Sequence, residues 1–487
     1  MNKILGHLLS VLLGALLSGC GGKAGDQPAS FDNTEAVETY YREHPERFVF
    51  ATPAQLPQHL DWQDGSGMPT FGDPNAKRGG ELTLRLSSMQ QTLRVVGPDA
   101  NTTLRGPLWS ANSVNLLGRH PWMDGYIPGL AREWAIDPVD SRTIYLKLDP
   151  DARWSDGKPF SAEDVFFSLY FLLSPDINDP AINRVYDENI QRITRYDAET
   201  IAITQTKPSP DPLFGMTSLI LVQRDFYREF GSDYTDRYHW RFSPVTGPYT
   251  VNPDEVKRGR QITFERLPHW WADDKPFYRH RFNPDKLTYV VIRDDAKAFE
   301  FFLNGQLDWF PLDLTELWYD RADDSPFRKG YIERAQVYDQ LPAARVGLYM
   351  NAMQPMLSDR TLRIGIQYAI NFDKVNEGLY RGDRRRIRAF ADGYGAYSHP
   401  TLRARPFDLE KAKQYFAEAG FVNRGADGIL VNDKGQRLSF ALTVTNTGDQ
   451  VQLASILKEE AKKAGLELII DSLDTTASFT KIFKKDY

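Results

Sequence analysis

The chain has 487 residues, 41% hydrophobic and 25% charged, with 35 glycines and 30 prolines, which excludes a disordered, collagen-like or polytopic membrane protein. At roughly 150 residues per domain this length accommodates two or three packed units. Lys and Arg number 59 against 65 Asp and Glu, a formal charge of −6 spread along the chain that argues against a dedicated nucleic-acid binder.

The chain opens on a cationic start, Met1-Asn2-Lys3, followed by an apolar run from Ile4 to Leu17 broken only by small residues and His7. That run is short for a bilayer span and reads as the core of an export signal. It leads into Leu17-Ser18-Gly19-Cys20, which resembles the lipobox of bacterial lipoproteins. The resemblance implies a signal peptide over residues 1–19, a lipid on Cys20, and a periplasmic, membrane-anchored lipoprotein. An ordinary cleaved signal with an incidental cysteine is the alternative. Cys20 is the only cysteine, so neither an internal disulfide nor a cysteine-based metal site is available. Residues 20–30, beginning with Gly21 and Gly22, form a polar tether.

Beyond the tether, Glu81 to Leu86 and Thr143 to Leu148 alternate apolar and polar residues and read as half-buried strands. Ser161-Ala162-Glu163-Asp164 opens a helix through a capping-box pattern. Val165, Phe166, Leu169, Leu172 and Leu173 form its apolar face, and Ser174-Pro175 stops it. Leu287 to Ile292 reads as a strand, Ala296 to Leu303 as a helix capped by Gly305, and Leu307 to Phe310 as a following strand. Residues 311–340 carry Pro311, Asp323, Asp324, Pro326 and Gly330 without a period, so a domain boundary is expected near residue 340. Arg437 to Thr445, Gln450 to Ala464 with Gly465, and Leu466 to Ile470 form a second strand–helix–strand unit. Such units favour an α/β fold.

The eight histidines are scattered, with no pair at zinc-binding helical spacing. No nucleophile elbow, Walker motif or dinucleotide fingerprint occurs, so enzyme chemistry has no positive feature and no cofactor is expected. Trp240, Trp270, Trp271, Trp309 and Trp318 cluster in one stretch, as core more readily than as a stacking pocket. Arg384-Arg385-Arg386 and Arg388 read as a solvated run rather than an anion site.

Ala152-Arg153-Trp154-Ser155-Asp156-Gly157-Lys158-Pro159-Phe160-Ser161-Ala162-Glu163-Asp164-Val165 resembles the signature of family 5 extracellular solute-binding proteins, the receptors of ABC peptide importers. Thr246-Gly247-Pro248-Tyr249, Glu265 to Trp271, Phe299 to Trp309 and Asn351 to Asn371 agree with it in order. Asp73 to Gly80 and Thr92 to Asn101 are similar to the branch associated with oligopeptide and microcin C uptake.

The resemblance implies an α/β, two-lobed clamshell of class II with an extra subdomain and mixed sheets flanked by helices. Residues 31–340 would form the first lobe and residues 341–487 the second. It implies a non-enzymatic monomer that captures a peptide and delivers it to an ABC permease and ATPase complex in the inner membrane. By position the loop Gly97 to Thr102 borders the ligand, so Asp99, Asn101 and Thr102 are candidate binding residues, with Asn183, Trp309 and Asn446 on the same argument. Pro98-Asp99-Ala100-Asn101 is equally a turn and helix-cap sequence, and Asp308 reads as a turn residue. The chain stops at Tyr487, shortly after a helix-like stretch from Thr475 to Phe483, where relatives continue with a strand. The expectation is a truncated product or lobes completed in another way, with no amine-anchoring Asp among the residues present. Other solutes (an oligosaccharide or metal chelate), a sensory binding domain and a secreted hydrolase are the competing readings.

Overall fold

The computed structural model describes residues 32–89, 91–312, 314–321, 323–337, 347–446 and 448–487. Cys20, the export signal, the tether and the boundary expected near residue 340 lie outside the described residues. In chain order the first elements are α1 (Thr34–Glu43), β1 (Phe48–Phe50), β2 (Glu81–Leu86), β3 (Leu117–Arg119), β4 (Tyr126–Pro128), β5 (Ala131–Ile136) and β6 (Thr143–Leu148). Next come α2 (Ala162–Leu173), α3 (Pro180–Asn189), β7 (Ile190–Arg195), β8 (Thr200–Gln205), α4 (Tyr234–Arg237), β9 (Tyr249–Val251), β10 (Gln261–Arg266) and β11 (Lys286–Val291). The helices α5 (Asp295–Leu303), α6 (Thr315–Asp320), α7 (Ser325–Arg328), α8 (Arg360–Ala369), α9 (Phe372–Gly378) and α10 (Leu409–Glu418) follow. The chain closes with β12 (Asn423–Arg424), β13 (Leu430–Val431), β14 (Ser439–Thr445), α11 (Gln450–Lys463), β15 (Glu467–Leu473) and α12 (Thr475–Phe483).

Two mixed sheets carry the N-terminal part. One runs β1-β7-β8-β6-β5 with only the β1–β7 pair parallel; the other runs β2-β11-β10-β9 with only β2–β11 parallel. The sequence pattern marks β6 as half-buried, yet nearly all of it is buried. It is an inner strand: Ile144, Leu146 and Leu148 face the main core, while Tyr145 packs with Leu60, Ala135 and Ala202 on the other side.

The signature segment folds as a tight turn feeding a buried helix. Trp154 and Lys158 close the turn by a 2.9 Å backbone bond, and Gly157 sits at φ +86°, a conformation glycine adopts without steric cost. Asp156 Oδ1 accepts from Lys158 N at 3.1 Å and from Gln223 Nε2 at 2.9 Å, and Ser155 N donates to Val245 O at 2.7 Å. Ser161 Oγ accepts from Glu163 N and Asp164 Oδ2 from Ser161 N, so the capping box forms. α2 is buried around most of its circumference, with Phe166, Phe167, Phe171 and Leu172 fully enclosed.

The C-terminal part has a separate core in which Leu362, Ile366, Phe416, Leu457 and Leu468 pack together. It shares no buried residue with the main core. The strand–helix–strand expected over residues 437–470 forms as β14, α11 and β15, with β14 and β15 parallel from Ser439↔Glu467 to Thr445↔Leu473. The strand expected at Leu307 to Phe310 does not form. Asp308 instead makes a local tie to Thr83 in β2. No helix among the described residues is long and apolar enough to cross a membrane.

Candidate functional site

Three parts of the chain meet along β2, from its middle to just beyond its carboxyl end. Asp308 N donates to Thr83 O at 2.9 Å, and Asp308 Oδ2 accepts from Thr83 N at 2.6 Å. Two residues on, Arg85 donates through Nε to Ile292 O at 2.9 Å and through Nη2 to Arg293 O at 3.1 Å. It also pairs with Asp295 at 2.5 Å. The other carboxylate oxygen of Asp295 accepts the backbone N–H of Gly448 at 2.7 Å, tying the start of α5 to the loop after β14. Beyond the strand, Thr103 reaches Ser88 O at 3.5 Å, which brings in the end of the 97–102 loop. Ligands of α/β proteins gather at carboxyl ends of strands because the loops there are free to vary.

The loop itself is tightly specified. Gly97 has φ +98°, and a Cβ there would stand 2.6 Å from Ile177 O. Its N–H donates to Asp179 Oδ2 at 3.3 Å, while Asp179 Oδ1 accepts from Ile182 N at 3.2 Å and so caps α3. Asp99 follows at φ +61° with its side chain exposed, and Ala100 N closes a turn onto Gly97 O. Asn101 is half-buried and Thr102 buried, its carbonyl accepting from Arg105 N at 3.1 Å as the chain turns into residues 104–110.

The remaining candidates fall into two groups. Trp309 is 61% exposed directly after Asp308, and Asn446 is exposed on the loop whose Gly448 meets Asp295, so both stand at the seam beside β2. Asn183 is engaged elsewhere: its amide donates to Leu172 O at 2.8 Å and Ser174 O at 3.0 Å, closing the carbonyl end of α2. The Trp-rich stretch divides as well. Trp270 is 4% exposed and, like Trp271, donates to Thr246 O at 2.9 Å, while Trp309 faces solvent. In the arginine run, Arg386 pairs with Asp373 and Arg388 with Asp392, whereas Arg384 lies over the Tyr380 ring at 5.1 Å.

Sequence reasoning missed Arg85, Arg94, Asp179 and Asp295. Arg94 is the readable one: a single cation inside the apolar run Leu93 to Val96 signals a buried charge with a specific task. No cluster of three potential metal ligands occurs among the described residues.

The chain is similar to known proteins over most of its length. Residues 125–487 match the model of bacterial extracellular solute-binding proteins, family 5. A putative binding protein of Brucella melitensis is 24% identical over 396 residues, covering 74% of this chain and 62% of that protein, so the chain spans less than two thirds of this relative. Among solved structures, the oligopeptide-binding protein AppA of Bacillus subtilis with a nonapeptide superposes with a TM-score of 0.67 at 19% identity, over 84% of this chain and 77% of that one. A periplasmic oligopeptide-binding protein of Thermotoga maritima, with mannohexaose bound, gives 0.65 at 20% identity over 84% and 74%. The mixed α/β sheets flanked by helices are the fold of these proteins. The chain belongs to the bacterial extracellular solute-binding proteins of family 5.

Proposed function

We propose that the chain captures a peptide outside the cytoplasm and hands it to an ABC permease and ATPase complex in the inner membrane. The observation that carries this reading is the clamped 97–102 loop beside β2. It offers the carboxylate of Asp99 and the amide of Asn101, and the next residue after it, Thr103, reaches Ser88 O just past β2, the strand whose seam carries exposed Trp309 and Asn446. Amide and carboxylate groups on a rigid loop suit the repeating N–H and C=O groups of a peptide main chain, and exposed Trp309 suits an apolar or aromatic side chain of variable size. In this reading Asp99, Asn101, Thr102, Trp309 and Asn446 face the solute. Asn183 acts through α2 and α3, whose N-cap Asp179 holds the loop. The lipobox-like segment adds an anchor on Cys20, and incorporation of labelled palmitate that Cys20→Ala abolishes is its test.

Solute-binding proteins of high affinity retain ligand through purification, so denaturing the purified chain and identifying the released molecules by mass spectrometry tests the assignment. Peptides in stoichiometric amount are expected. Oligosaccharide masses without peptides would overturn it in favour of the saccharide reading, which the mannohexaose-bound structure of the same fold supports.

A further inference from the structure

Arg94 is 3% exposed, yet its guanidinium is spent on backbone and imidazole rather than on a carboxylate. Nη2 donates to Pro98 O at 2.5 Å, inside the 97–102 loop. Nη1 donates to Thr235 O in α4 and to His239 Nδ1 at 3.1 Å. The guanidinium lies over the Tyr234 ring at 5.8 Å, and that tyrosine donates to Val96 O at 3.0 Å. From the N-cap of α3, Asp179 holds the N–H of Gly97. Two charged side chains therefore grip consecutive residues of the loop, and the residue that follows is Asp99 in the left-handed region.

We infer that Arg94 is the positioning residue of the ligand loop: with Asp179 it fixes the 97–99 backbone so that Asp99 and Asn101 are presented in one geometry, and it sets affinity without touching the solute. The inference rests on the assignment of this loop to the binding site. A fixed loop binds more tightly because ordering is complete before the ligand arrives. The arrangement also makes the grip sensitive to acid. A guanidinium only donates, so His239 Nδ1 must be the unprotonated acceptor. Protonation of His239 removes that acceptor and sets a second cation against Arg94. Burial, Arg94 and Arg258 hold the imidazole below its ordinary pKa, while Asp99 and Asp236 pull the other way. In the intact protein the neutral form thus persists to lower pH than in a free imidazole.

Hydrogen–deuterium exchange of the ligand-free chain reads the grip directly. Arg94→Met is expected to speed exchange of the amides of residues 97 and 99–102 about tenfold relative to α2, and Arg94→Lys less, because a single ammonium replaces only part of the fork. If Arg94→Met does not fold, the unmodified chain serves. On acidification from pH 7.5 until the His239 imidazole is protonated, followed by its NMR signals, the same amides lose protection after correction for intrinsic rates, and His239→Gln, which keeps an acceptor, abolishes that loss. Titration with trialanine and pentaalanine is expected to show a matching tenfold weakening in Arg94→Met with partial rescue in Arg94→Lys. Unchanged loop exchange in Arg94→Met, or in the unmodified chain once His239 is protonated, would overturn the grip itself. Faster exchange with unchanged peptide affinity would overturn the loop's place in the site while leaving the grip standing.

Discussion

Gly247 leaves no room for a side chain: a Cβ would lie 2.3 Å from Asn112 O and 2.7 Å from Asn112 Oδ1. The approach is close because Asn112 clasps the next turn, donating to Tyr249 O at 2.7 Å and accepting from Tyr249 N at 3.0 Å, while Thr246 brackets Val114. Gly157 is different, with φ +86° but open space around it. Gly247→Ala is therefore expected to cost about 2–4 kcal/mol through forced displacement of Asn112, and Gly157→Ala about 1 kcal/mol through backbone strain alone, measured by urea unfolding. Equal losses would contradict this account. Both glycines stand in motifs visible in the sequence, but only the Asp-Gly turn could be understood there. The partner of Gly247 lies 135 residues away in the chain, and a close approach of that kind leaves no local signal.

At the scale of elements, α2 joins stability to pH through Asp164. Burial raises its pKa to about 6, although the N–H groups of Arg224 and Ser161 favour the ionised form. Above pH 6 the folded protein bears an ionised buried carboxylate that the unfolded chain carries freely; as the pH falls from 6 toward 4 the folded form takes up the proton first and gains stability. The gain is up to about 3 kcal/mol. The melting temperature of the parent relative to Asp164→Asn should accordingly rise between pH 7 and 4.5, and a flat difference would contradict it. Glu460 in α11 has the opposite sign. Burial raises its pKa, but bonds from Lys463, Asn371 and Lys374 outweigh that and hold the carboxyl at about 2. Its stabilisation is present above pH 4.5 and lost as the pH falls toward 2. Glu460→Gln should lose about 2 kcal/mol at pH 7, with the deficit shrinking below pH 4.5. A pH-independent deficit would show that packing, not charge, is what was lost. The α2 capping box and the β14–α11–β15 unit were legible because the first precedes a 12-residue apolar helix and the second is built on a helix of 14 residues flanked by apolar runs. α6 and α7, at six and four residues, are too short to show an apolar stripe, and Leu307 to Phe310 imitates a strand while pairing with β2 only through Asp308.

At the scale of the whole molecule, two cores are joined by polar ties at β2: Arg85 to Asp295, and Asp295 to Gly448. No local pattern announces that β2 pairs with β11 some 200 residues later, because register across such a distance is set by packing on both faces. The family resemblance supplied the architecture that periodicity alone could not. It named the 97–102 loop, yet not the buried Arg94 and Asp179 that give the loop its shape. In the proposed reading, the same polar seam is what a captured solute bridges. Binding there adds stability by mass action, about 2.7 kcal/mol at a hundredfold excess over the dissociation constant. The most direct measurement is thermal unfolding of the chain against peptides of two to ten residues, with mannohexaose and nickel–histidine as comparison solutes. The account predicts a rise in the melting temperature with peptides of a preferred length and none with the other two. A rise with either comparison solute and none with any peptide would contradict it.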